Sequence, residues 1–209
     1  CQAAGYLSLN VQELLVDCMS INSSKIYGPK GVGLLYKNKN VFIEPLIVGG
    51  GQEYGVRSGT ENIPGIVGFS EALIRVQDRK DQENERLTKL RDSCIYRIKN
   101  EIKDVTINGH EKKRLPNNIH CSFSYIEGES LLLLLDEQGI CVSTGSACSS
   151  HDLKPSHVLV AIKQDPALLH GSIRITFGEE TTQEMCDVLV DMLKKNVSYL
   201  RSISPSTFI

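Results

Sequence analysis

From residue 103 onward, short runs rich in β-branched and aromatic residues alternate with longer stretches of helical periodicity. No other feature of the chain limits its fold as strongly. "DVTING" and "NIHCSFS" read as strands, "EGESLLLLLDEQG" as a helix and "ICVST" as a strand. "PSHVLVAI" then reads as a short helix, "SIRITFG" as a strand and "TTQEMCDVLVDMLKKNVSYLRSI" as a final helix. Thr181 or Thr182 can cap that last helix, which carries acidic residues in its first turn and basic ones near its end, as its dipole favours. Strands and helices alternating at this interval bury their apolar faces in layers, which gives an α/β or α+β fold.

Upstream the pattern changes. From Pro64 to about Ile102 the chain is helical, with Leu87, Leu90, Cys94, Ile98 and Ile102 on one face at three- and four-residue steps. The charged run "DRKDQENER" has no such stripe and reads as a solvated stretch or a break between two helices. It marks the expected domain boundary, with residues 1–78 on one side and 79–209 on the other. Before it, "ELLVDCMSI", "GVGLLYK" and "VFIEPLIV" read as buried strands. They are separated by the turn-rich "NSSKIYGPKG" and followed by a loop, "VGGGQEYGVRSGTEN", that holds five glycines. That glycine density suits close approach of backbone amides to an anion, although no phosphate-loop pattern is present.

With 209 residues, 41% hydrophobic and 23% charged, the chain has material for one large or two small domains. A net charge of −2 gives no reason to expect a nucleic-acid or membrane partner, and no apolar run approaches the roughly 20 residues of a membrane helix. The chain opens on Cys1 without an initiator Met, so it is expected to be a truncated or processed piece. Seven cysteines without a C-x-x-C pair suit a reducing compartment and argue against a disulfide framework or a structural zinc. Most should be small buried hydrophobes. Cys148 is the exception, because its setting, "STGSACSS", consists of loop-forming residues that give a thiol the exposure a nucleophile needs.

Two further residues can carry chemistry. Lys25 lies among turn residues after an apolar strand and can present an amine to an aldehyde cofactor; Lys30, in "GPKG", has the same claim by spacing. Arg174 sits inside an apolar strand, where a guanidinium is costly unless paired. It either grips a carboxylate with its planar fork or makes an internal salt bridge. A Cys-His hydrolase built on Cys148 with His151 or His157 lacks a recognisable orienting group.

"SSKIYGPKGVG", "GGGQEYGVRSGTEN", "YIEGESLL", "STGSACSS" and "SIRITFG", in this order, closely resemble the C-terminal half of the IscS/NifS-type cysteine desulfurases. These are pyridoxal-phosphate enzymes of the class V aminotransferase family, and the likeness runs from Gln2 to Pro205. It implies fold type I of pyridoxal-phosphate transferases, with the C-terminal part of the large domain plus the small α/β domain. Lys25 would bond the cofactor, Gln2 would lie near its phenolic oxygen, and Thr60 would reach the phosphate of a partner subunit's cofactor, hence a homodimer. Arg174 would bind the carboxylate of L-cysteine, and Cys148 would accept the sulfur as a persulfide. An iron-sulfur scaffold or another acceptor, such as a transfer-RNA thiolation protein, would then receive it. A cytoplasmic setting is implied, or a mitochondrial one in a eukaryote, with no membrane and no direct nucleic-acid contact.

The chain departs from the family pattern in two ways. Asn22, Ser23 and Ser24 stand where the family usually has Ser-Gly/Ala-His, so Asn22 and Ser24 would supply a weaker or rearranged phosphate grip. The aspartate facing the pyridine nitrogen, the ring-stacking histidine and the glycine-threonine phosphate loop of the family precede the part matched here. The 209 residues alone are therefore expected to be inactive. A non-catalytic sulfur-relay or interaction module, keeping Cys148 without a cofactor, is the alternative. Since Cys148 must visit the cofactor and leave with sulfur, residues 145–153 are expected to be poorly ordered while Lys25 and Arg174 stay fixed.

Overall fold

The computed structural model describes residues 1–144 and 156–204. The expectation for residues 145–153, with Cys148 and His151, lies outside them. The chain divides into two compact units, Cys1–Glu83 and Asn84–Ile209. The boundary expected at 78/79 coincides with a break between helices at Arg79, but the first turn of the following helix groups with the first unit.

In the first unit, "ELLVDCMSI" is not one strand. Asn10 accepts the Gln12 N–H at 3.0 Å and opens a single helical turn, α1 (Val11–Leu14), which ends at Leu15 in the left-handed region (φ 52°). Strand β1 (Cys18–Asn22) follows and pairs antiparallel with β2 (Gly33–Lys37), Cys18 opposite Lys37 and Asn22 opposite Gly33. Of β1 only Ile21 is buried, so this is a half-covered ribbon rather than a buried strand. "VFIEPLIV" forms no strand. Pro45 has no N–H for a ladder, and Phe42 and Leu46 stand 87% and 96% exposed. Helix α2 (Ile63–Asp78) starts where the Asn62 side chain accepts the Gly65 N–H, with Pro64 in its first turn. Its Phe69 and Ala72 pack with Ala4, Ile21 and Ile26 to form this unit's core.

The second unit realises most of the expected alternation. Helix α3 (Lys80–Glu101) buries Leu87, Leu90, Cys94 and Ile98, and Ile102 just beyond it is buried too. Strands β3 (Val105–Ile107), β4 (Asn118–Phe123) and β5 (Ser172–Thr176) form an antiparallel sheet in that order. Helices α4 (Gly128–Asp136), α5 (His157–Ala161) and α6 (Gln183–Ile203) complete it. Thr182 is the cap of α6, its hydroxyl accepting the Met185 N–H at 3.3 Å.

Helices α3 and α6 are tied together by the Cys94 thiol, which donates to the Cys186 carbonyl at 3.7 Å, by Arg97, which bridges Glu101, Asp187 and Asp191 at 2.7–3.0 Å, and by Lys194, 3.4 Å from Glu101. The expected strand "ICVST" survives only as a bridge between Ser143 and Arg174. The Ile140 N–H instead returns to the Leu135 carbonyl at 2.9 Å and closes the exit of α4, so the segment's first residue is engaged in the helix end.

The cysteines divide differently from the expectation. Cys94, Cys121 and Cys186 are buried, whereas Cys1, Cys18 and Cys141 are exposed. Cys18 lies at the exposed start of the half-covered ribbon, and Cys141 in the segment that fails to become a strand. Among the described residues no helix is long and apolar enough to cross a membrane.

Candidate functional site

The lysine candidate sits on a turn built by its own neighbours. Asn22 ends β1, and its Oδ1 accepts both the Ser24 N–H (3.0 Å) and the Ser24 hydroxyl (2.9 Å), turning the chain into a 3-10 turn over Ser23–Lys25. Ser23 is fully buried, and its carbonyl accepts the N–H groups of Ile26 and Gly28, both at 3.1 Å.

The glycine of "KIYGPKG" has a steric reason. A Cβ on Gly28 would lie 2.2 Å from Ser23 Oγ and 3.0 Å from the Ala72 Cβ of α2. One on Gly68 of α2 would lie 2.6 Å from the Pro29 ring. Small residues thus let the turn sit directly on the helix.

Lys25 is exposed but flanked by buried Ser23 and Ile26. Lys30 lies between exposed Pro29 and exposed Gly31, the latter at φ 81°. Lys25 thus closes a short turn whose Ser23 and Ile26 are buried, whereas Lys30 lies among more exposed neighbours.

Gln2 belongs to a neighbouring 3-10 turn, Gln2–Gly5, whose Ala4 shares the core with Ile26, so the structure brings the turns of Gln2 and Lys25 together. Ser24 and Asn22 are partly occupied with each other: the Ser24 hydroxyl is donated to Asn22 Oδ1, which leaves the Asn22 amide N–H2 as the outward donor. Ser23 Oγ is buried without a partner.

The glycine-rich loop folds on itself. Ser58 Oγ donates to the Gly50 carbonyl at 2.8 Å, and the Gly59 N–H donates to Gln52 Oε1 at 3.2 Å. Glu53 and Tyr54 are both left-handed, at φ 50° and 56°. Exposed Thr60 follows this knot.

Arg174 belongs to the second unit, and Cys148 lies outside the described residues. Arg174 occupies the middle of β5, its backbone bonded on one side to Ser143 (N–H to the Ser143 carbonyl 2.6 Å, carbonyl from the Ser143 N–H 3.1 Å) and paired on the other with His120. Its Nε is buried with no hydrogen-bond partner, and among the described residues it makes no ion pair, so the internal salt bridge is not formed there.

His120 is the functional candidate that sequence reasoning passed over. Alternation in "NIHCSF" puts it on the face opposite Ile119 and Cys121, but its pairing with Arg174 depends on sheet register. Its Nδ1 lies 2.8 Å from Asn108 Nδ2. Burial first, then the charges of Arg174 and Arg114, push the imidazole down to about 4.

The chain matches the family model described as aminotransferase class-V over residues 1–189. It is 52% identical over 204 residues to cysteine desulfurase IscS of Dictyoglomus turgidum, covering 98% of this chain and 52% of that protein. It is 46% identical over 201 residues to cysteine desulfurase IscS 1 of Archaeoglobus fulgidus, covering 96% and 52%. Among solved structures, a NifS-like protein superposes with a TM-score of 0.84 at 35% identity, over 94% of this chain and 50% of that one. A NifS-like protein from Rickettsia africae gives 0.85 at 29%, over 94% and 52%. The chain spans about half the length of the curated relatives it matches.

Proposed function

The chain belongs to the class-V aminotransferase family and has that family's α/β fold, and from this premise we propose that it carries the lysine, arginine and sulfur-accepting cysteine of a pyridoxal-phosphate-dependent cysteine desulfurase. The observation that carries the reading is Arg174, a guanidinium at the centre of β5, an edge strand of the sheet, whose buried Nε has no partner among the described residues. A half-buried guanidinium whose Nε is left unpaired is matched by a planar carboxylate, and every amino-acid substrate has one.

The residues present fit the cofactor. The amine of Lys25 is carried on a turn seated on α2, the Asn22 amide N–H2 is left free as a donor, and Ser23 Oγ is an orphaned buried hydroxyl in the same turn. Lys25 would hold the cofactor, with Asn22, Ser24 and Gln2 around it, and Thr60 would serve a partner subunit's phosphate in a homodimer. When bound, pyridoxal phosphate supplies an electron sink for the Cα–H bond of the substrate.

Each protein group then has one task. Arg174 fixes the carboxylate of L-cysteine, and the amine of Lys25 moves the Cα proton. The Cys148 thiolate attacks the substrate sulfur: the carbon–sulfur bond breaks, a sulfur–sulfur bond forms on Cys148, and the three-carbon remainder takes up a proton and leaves as alanine. Cys148 lies five positions after Ser143, at most about 18 Å of extended chain. The persulfide passes to an iron-sulfur scaffold or another acceptor protein, in the cytoplasm or a mitochondrion.

The test is on the full-length native protein. Lys25→Ala should lose the visible absorbance of bound cofactor, Cys148→Ser should keep it but form no persulfide by intact mass, and Arg174→Ala should lose cysteine turnover. Intact turnover in Arg174→Ala would overturn the reading.

A further inference from the structure

One transverse row of the second unit's sheet is polar from edge to edge. The Asn108 N–H donates to the His120 carbonyl at 2.8 Å, His120 pairs with Arg174, and Arg174 is bonded to Ser143. Ile119, Cys121, Ile173 and Ile175, next to His120 and Arg174 along the strands, are buried, so the row's side chains lie on the opposite face from this apolar packing. Asn108 Nδ2 donates to His120 Nδ1 and to Ser122 Oγ, both at 2.8 Å. Because Nδ1 accepts, the ring carries its proton on Nε2 and is the neutral tautomer.

The charges acting on this imidazole are both cationic. Arg174 faces it across the strand pair, and Arg114, whose Nη2 donates to the Asn108 carbonyl, lies on the other side. No carboxylate is among the groups that perturb it. Among the described residues, Asn108 Oδ1, Arg114 Nη1 and Arg174 Nε of this group are buried without hydrogen-bond partners. Asp92 and Glu111 act on Arg114, but Arg174 makes no ion pair among the described residues and its buried Nε is unused, so its end of the row is built for an anion supplied from outside.

We propose that His120 is a positioning residue for carboxylate recognition at Arg174: an imidazole anchored by Asn108 that flanks the guanidinium and leaves its charge for the carboxylate of a small α-amino acid. This rests on the reading of Arg174 as the substrate-binding residue and adds to it the groups that prepare it. A neutral ring packs beside the guanidinium without competing for its donors; an acid at the same register would satisfy them permanently.

The experiment uses the full-length native protein with L-cysteine as substrate. His120→Asp should raise KM for L-cysteine by about tenfold or more, the scale of one hydrogen bond to a charged group, with kcat nearly unchanged. His120→Asn, neutral and still able to accept from Asn108, should keep KM close to that of the unaltered protein. An unchanged KM in His120→Asp, or an equal loss of kcat in both variants, overturns the proposal.

If His120→Asp fails to fold, the unaltered protein decides. The imidazole nitrogen signal of His120, identified by its loss in His120→Asn, should be that of the neutral Nε2–H tautomer and should move when L-alanine is added. A protonated ring at neutral pH, or no response to L-alanine, overturns it. Arg174→Ala separates the two failures: loss of turnover there with an indifferent His120→Asp removes only the role of His120, whereas intact turnover removes the reading of Arg174 as well.

Discussion

In the second unit Leu87, Ile98, Ile119, Phe123, Leu131, Leu135, Ile173 and Leu193 are wholly withdrawn from solvent; in the first, Phe42, Leu46 and Val48 stand mostly in it. The first unit's ribbon makes the contrast local. Leu34 and Leu35 are consecutive in β2 and so point to opposite faces, and both are exposed. Neither face of that strand is covered among the described residues. Two strands and one long helix present too little facing surface to bury so many apolar side chains, whereas three strands and several helices close a core. The chemistry follows the same division: Lys25 projects from the open unit, and Arg174 is held inside the finished sheet.

The comparison breaks most directly if the units are separated. Residues 84–209 expressed alone should unfold in one cooperative thermal transition by circular dichroism, and residues 1–83 should show none. A cooperative transition in the shorter piece would mean its exposed apolar surface is no obstacle to folding.

Point substitutions sharpen the contrast. Leu193→Ala should destabilise the second unit by about 3–4 kcal/mol in urea titrations, through the lost transfer energy and the cavity left in a closed core. Leu35→Ala should change the stability of the first unit by less than about 0.5 kcal/mol.

The imidazole of His120 gives the second unit a pH signature. Its folded value of about 4 lies below the ordinary 6.5, so the unfolded chain binds the proton more readily. The stability contribution is complete above the ordinary value and is lost as pH falls towards 4. Its slope is about 1.4 kcal/mol per pH unit in the steepest part of that window. His120→Asn should flatten that slope in chemical denaturation across the range. A more modest effect belongs to the lysine turn. Gly28→Ala should lower the stability of the first unit by about 1–2 kcal/mol, because the added methyl collides with buried Ser23 Oγ.

Element types were readable wherever periodicity was long. The stripe from Leu87 to Ile102, the strands around His120 and Arg174 and the capped final helix formed as their residues imply. Short apolar runs misled. "ELLVDCMSI" divided at Leu15, "VFIEPLIV" never paired, and "ICVST" kept one bridge, because a run of eight apolar or mixed residues does not reveal whether a partner strand is available. The same blindness hid the exposure of Cys18 and Cys141.

By itself the sequence determined the turn chemistry and the motif residues: Asn22, Ser24 and Gly28 bend the chain so that Lys25 is presented, and a charged residue in an apolar strand marks Arg174. These are local facts, set by backbone sterics and by hydrogen bonds within a few positions. Only the tertiary structure decided that Arg174 has no acid to pair with among the described residues, that His120 stands opposite it, and that Asn108 holds that ring. Those depend on strand register and on burial, which join residues 12 to 54 positions apart through contacts that no short window of sequence contains.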